Sequence, residues 1–155
     1  MPRRNTKLES EGAEFLVLGH LLMNGIAAYK TYTNMPGYDV VAVGPERNSS
    51  ARISVKSRWD TGATGFIIKN FDCDFVVVAK LNRGSSRGRS TTLPTEFFVL
   101  PSKIVRAVAS AATGWGTIEF GRIANFQSYL GRWDLIRDFL LNGDRMGSRP
   151  RFSDS

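Results

Sequence analysis

The stretch Asp74–Leu81, "DFVVVAKL", constrains the fold most, because it is apolar almost without interruption. Side chains alternate across a strand, so a run that is apolar in both phases reads as a central strand covered on both faces. The segments around it supply the cover and the neighbours. "LESEGAEFLVLGHLLMNG" reads as a helix, with Phe15, Leu18, Leu21 and Leu22 at helical spacing and Asn24-Gly25 as its stop. "IAAYKTYT", "YDVVAV", "ARISVKSR", "FIIK" and "EFFVLP" read as strands, separated by the turn chemistry of "NMPG", "GPERNSS" and "DTGATG". A helix is expected from Ser102 to about Ala112. One or two more are expected within "GRIANFQSYLGRWDLIRDFLLNG", where Trp133, Leu135, Ile136, Phe139 and Leu140 form an amphipathic stripe.

Helix, several strands, then helices argues for an α/β protein, an α/β/α sandwich around a central mixed β-sheet. At 155 residues the chain is expected to be one domain over residues 1–142, with a basic arm over about residues 1–8. The polar segment 143–155, "GDRMGSRPRFSDS", reads as a disordered tail.

The net charge of +7 favours a polyanionic partner, nucleic acid before an anionic membrane surface. One cysteine and one histidine exclude an internal disulfide framework and a zinc site built on several such ligands. Cys73 reads as a packing residue. The basic N-terminus lacks the apolar core of a secretory signal, and no apolar run approaches a membrane span, so a reducing cytoplasm is the default.

The hairpin "GYDVVAVGPERNSSARISVKSR", Gly37 to Arg58, carries the chemistry. Ser54 and Lys56 point away from Ile53 and Val55. If the two strands pair, Asp39 lies on the face of Lys56. An acid there can hold a hard cation through oxygen, and a lysine can orient water or offset negative charge in a transition state. On spacing alone, a solvated cross-strand Asp–Lys pair is the commoner arrangement.

From about Gly12 to Leu100 the order of elements resembles the PD-(D/E)XK nuclease superfamily, with its restriction-endonuclease-like core, including proteins like Holliday-junction resolvases. The resemblance rests on a helical glutamate in "GAEFLVLGHLLMNG", the acid in "PGYDVVAV", the lysine in "RISVKSR", and the pair "DFVVVAKLN" and "FFVLPSKIV". It implies metal-dependent hydrolysis of DNA phosphodiester bonds. Glu14 and Asp39 would be carboxylate ligands of magnesium or manganese, with the backbone carbonyl of Val55 completing the shell, and Lys56 would position the attacking water. Many relatives dimerise to cut two strands, which makes a homodimer an expectation.

The departure from the family's pattern is Ser54, where a Glu, Asp or Gln is expected. Three readings stay open. The site works with Glu14, Asp39 and water; an acid from elsewhere, Glu46 or Asp60, has taken the role; or the protein is a catalytically degenerate DNA-binding or assembly module. The loop "NRGSSRGRS" places Arg83, Arg87 and Arg89 on a glycine-serine backbone suited to phosphate contacts. Arg58, just after the lysine strand, is a further candidate for touching nucleic acid. Glu14 at the head of a helix also suits the helix dipole without any function. His20, Trp59, Trp115 and Trp133 read as packing residues.

Overall fold

The computed structural model describes residues 5–31, 37–46, 48–85, 91–112 and 116–142, with side chains 110–112 left aside. The arginines Arg3, Arg4, Arg87 and Arg89, Trp115, and the segment 143–155 lie outside the described residues.

Helix α1 (Thr6–Met23) begins where the Asn5 side chain accepts from the backbone N–H groups of Lys7 and Leu8, two donors a helix start leaves unpaired. It ends at Asn24, and Gly25 follows at φ +78°. Five strands form one sheet: β1 (Ala27–Lys30), β2 (Val40–Val43), β3 (Ser50–Arg58), β5 (Phe75–Lys80) and β6 (Glu96–Pro101). Their order is β1-β2-β3-β5-β6, and only the β3–β5 pair is parallel. The sheet is therefore mixed, as expected. Between β3 and β5 the chain makes β4 (Gly65–Ile67), which pairs antiparallel with β7 (Thr117–Glu119) in a separate ribbon.

Two apolar layers follow from the alternation along the strands. On one face, Ala13, Val17 and Leu21 of α1, with Trp133, Ile136 and Leu140 at and in α3 (Asp134–Asn142), cover Val40, Ala42, Ile53, Phe75 and Val77. On the other face, Val105 and Ala109 of α2 (Ser102–Ala112), with Phe66 and Ile118 of the ribbon, cover Val76, Val78, Phe98 and Leu100. β5 is buried at five consecutive positions, as its apolar run requires. This is an α/β/α sandwich.

One strand departs from the sequence expectation: β7 lies in a segment without a strand pattern and forms because Ile118 and Phe66 close the same apolar layer. Of the one or two helices expected beyond it, α3 forms, and the segment before it holds two 3-10 turns, Phe120–Arg122 and Phe126–Tyr129. Asn125 at φ +56° and Gly131 at φ +65° break the helical path there, while Phe98, Phe126 and Phe120 stack in a column with ring centroids 4.1 and 4.6 Å apart.

Candidate active site

The register of β2 with β3 pairs Val40 with Ile53, which sets Asp39 one step further, beside Ser54. The Asp39 backbone is fixed from both sides. Its N–H donates to the Ile53 carbonyl at 2.8 Å, and its carbonyl accepts from the Thr31 N–H at 3.0 Å. Its carboxylate is fixed as well: Oδ2 accepts the Val55 N–H at 2.8 Å.

Ile53 and Val55 face the layer under α1 and α3, so Ser54 and Lys56 emerge on the opposite face of the sheet. There Asp39, Ser54 and Lys56 share the wall of a cavity of about 300 Å³. Gly37 and Tyr38 complete the near side, and Ile67, Lys69 and Asn70 form the far side. Ser54 is only 3% exposed, so its hydroxyl lies on the floor of that cavity.

The far rim is built by close packing. A Cβ placed on Gly37 would meet Asn70 Oδ1 at 2.7 Å and Asp72 Cβ at 2.8 Å, so only glycine lets these two segments touch. Asn70 Oδ1 accepts the Asp72 N–H at 2.7 Å, tightening the turn. Arg52 then holds both following acids: its Nη1 is 2.6 Å from Asp72 Oδ1, and its backbone N–H donates to Asp74 Oδ2 at 2.8 Å. Lys69, Asn70 and the glycine contact were missed in the sequence, which offers only a polar step after "FII". β4, which runs into that step, pairs with the distant β7, and Ile67, Lys69 and Asn70 line the same cavity as Asp39.

Glu14 is elsewhere. It does not line the cavity, and instead meets Lys30 Nζ at 2.6 Å, with Glu11 completing the cluster at 3.2 Å. Lys30 is itself buried and lies over the Phe15 ring at 4.7 Å. Burial pushes the Glu14 carboxyl above its ordinary 4.5, the Lys30 hydrogen bond pulls it down, and the negative charge of Asp39 pushes it up again. Burial disfavours the Lys30 charge, but hydrogen bonds and attraction from Glu14 and Glu11 outweigh it and hold Lys30 above 10.5.

The remaining candidates occupy other places. Arg58 donates from Nη1 to the Gly65 carbonyl, tying β3 to β4. Arg83 is exposed and bridges to Thr92. Glu46 is exposed in the β2–β3 turn, and neither it nor Asp60 lines the cavity. His20 stacks on Trp133 with rings 6° from parallel and packs against Phe97, so it is a packing residue. Cys73 is buried, its thiol pushed up by that burial.

Among the described residues no three His, Cys, Asp or Glu side chains gather as a metal cage. The oxygen set that is present suits a different kind of cation site. Magnesium keeps several waters and needs only one or two carboxylates beside substrate phosphates. The Asp39 carboxylate, the Ser54 hydroxyl and the open cavity fit that description.

No family model matches the chain, and no curated protein matches its sequence. Among solved structures, the bacterial homing endonuclease I-Ssp6803I is similar in fold, with a TM-score of 0.59 at 22% sequence identity. The similarity covers 93% of this chain and 98% of that one, so it extends over nearly the whole of both. The fold of this chain is that nuclease-like α/β fold.

Proposed function

We propose that this chain is a metal-dependent endonuclease that hydrolyses DNA phosphodiester bonds, a PD-(D/E)XK variant with Ser54 at the second acid position. The observation that carries the reading is the convergence of Asp39, Ser54 and Lys56 on one cavity wall. The likeness in fold to a homing endonuclease and the net charge of +7 support it.

Asp39 would hold magnesium or manganese with the Val55 carbonyl, water and substrate phosphate, whereas Glu14, expected as a second ligand, is held by Lys30 outside the cavity. When bound, the cation supplies a water of lowered pKa and charge to offset the phosphate oxygens. The chain's own residues do the rest. The Val55 N–H fixes one Asp39 oxygen and leaves the other for a ligand. Lys56, on the same face, orients the attacking water and offsets the charge that builds on the phosphorane. Arg83, with Arg87 and Arg89 of the same sequence loop, would add phosphate contacts, and Arg58 would hold the β3–β4 wall beside the substrate. Cutting both strands of a duplex would take two copies, a homodimer. No helix among the described residues is long and apolar enough to cross a membrane.

The test is cleavage of supercoiled plasmid and branched DNA with magnesium or manganese. Wild type should cut, and Lys56→Ala should be slower by about 10²-fold or more. Equal cutting by both proteins overturns the reading. A second reading, a degenerate DNA-binding or assembly module, is favoured by Ser54 and by the lack of a three-acid cluster among the described residues. It predicts no cutting by wild type, and salt-sensitive binding that survives Asp39→Ala.

A further inference from the structure

The cavity's charge is the reverse of what a cation cage would carry. Its wall holds one carboxylate, Asp39, against two ammonium groups, Lys56 and Lys69. Lys56 comes from β3 and Lys69 from the segment that follows β4, so the two cations reach the same cavity from separate stretches of chain. The rim is held in place by the Gly37–Asn70 contact, the Asn70–Asp72 turn, and the Arg52 bonds to Asp72 and Asp74. Arg106 adds a further tie, donating to the Phe71 carbonyl at 3.1 Å while lying over its ring. Lys69 is thus carried on a fixed segment, with its neighbours on both sides bonded to the body of the protein.

We propose that Lys69 is a second phosphate-holding residue of this cavity, and that the cavity takes a DNA phosphate before it takes a divalent cation. This rests on the nuclease reading for the identity of the anion. A phosphate between Lys56 and Lys69 is attracted by both, and its oxygens then add to Asp39 and Ser54 as ligands for a hard cation. The substitution of serine for an acid fits the same order of events. It lowers the affinity of the empty cavity for a cation and removes one negative charge that would repel the phosphate. Lys69 is assigned to binding, and Lys56 to both binding and the reaction.

The experiment measures binding of a fluorescein-labelled DNA duplex by anisotropy in EDTA, over a range of salt, for wild type, Lys69→Ala, Lys69→Arg and Lys7→Ala. Lys7 lies on α1, over the opposite face of the sheet, and serves as the charge-matched control. Loss of Lys69 should weaken metal-free binding several-fold and lower the slope of log affinity against log salt by about 1. Lys69→Arg should restore most of it, and thermal melting should show both variants folded. Magnesium titrated calorimetrically should bind the DNA complex more tightly than the free protein. Lys69→Ala binding like wild type overturns the proposal, as does an equal loss in Lys7→Ala or magnesium affinity that ignores DNA. Plasmid cutting is read separately. Wild type that binds through Lys69 but does not cut with magnesium retains this inference and removes the nuclease reading, whereas cutting without a Lys69 effect does the reverse.

Discussion

The Asp39 carboxylate accepts the backbone N–H of Val55 at 2.8 Å, so the acid that would bind a cation also completes the β2–β3 pairing. The two roles separate by substitution. Asp39→Ala leaves a nearly buried N–H without a partner and should destabilise the fold by about 1–3 kcal/mol in urea unfolding. Asp39→Asn keeps an oxygen acceptor at the same reach and should lose much less. Both should lose magnesium-dependent cleavage. Equal destabilisation by the two variants would count against the hydrogen bond as the source.

Lys30 is held between Glu14 at 2.6 Å and Glu11 at 3.2 Å, with its own side chain nearly closed off from solvent. Lys30→Met strands the Glu14 carboxylate and should cost about 1–3 kcal/mol, less than a fully buried pair because Glu11 remains half exposed. The pH dependence has a fixed sign. The Lys30 pKa is raised in the fold above 10.5, so its contribution is fully present below that value. The contribution is lost as pH rises through the higher folded-state value. Melting temperatures taken from pH 9 upward should fall more steeply for wild type than for Lys30→Met. Glu14 also has a raised pKa, and as an acid it loses its small contribution as pH rises from 4.5.

On the nuclease reading proposed above, Ser54 stands where a second acid is expected, and that acid can be installed. Ser54→Asp places a second carboxylate on the cavity floor beside Asp39. Crowding and burial of that charge should lower stability by about 1–3 kcal/mol in the absence of metal. Magnesium should then recover the loss and bind the free protein at least tenfold more tightly by calorimetry, roughly the 1.4 kcal/mol of one added charge-assisted ligand. A variant whose melting temperature ignores magnesium would show that the floor does not face a cation position.

Much of this was legible in the sequence, for local reasons. The apolar run Phe75–Ala79 fixes a doubly covered strand, and the alternation in "RISVKSR" puts Ser54 and Lys56 on one face. The acid-before-strand position of Asp39 follows from the same two-residue period. What escaped the sequence depends on contacts between distant segments. β7 meets β4 across some fifty residues, and Lys69, just after β4, lines the cavity. Lys30 reads as the polar end of a strand, and only the packing of α1 on β1 shows that it is buried with Glu14. Glu14 lies on the expected helix, but its partner is Lys30 and not a residue of the cavity.

Gly37 separates close packing from backbone conformation in forming the cavity rim. It lies at φ +92°, and a Cβ there would sit 2.7 Å from Asn70 Oδ1 and 2.9 Å from the Asp72 carbonyl oxygen. Gly25 has a similar φ of +78° with nothing within 4 Å of its Cβ position. Gly25→Ala should therefore show only the conformational term, about 1–2 kcal/mol for a left-handed alanine. Gly37→Ala adds a contact that backbone atoms cannot relieve by rotating a side chain, and should lose about 1–3 kcal/mol more. Because the same contact carries Lys69, Gly37→Ala should also weaken metal-free DNA binding, whereas Gly25→Ala should not. Urea unfolding and anisotropy on the two variants decide the point. Equal losses in both would mean that the rim is held by Arg52 and Arg106 alone.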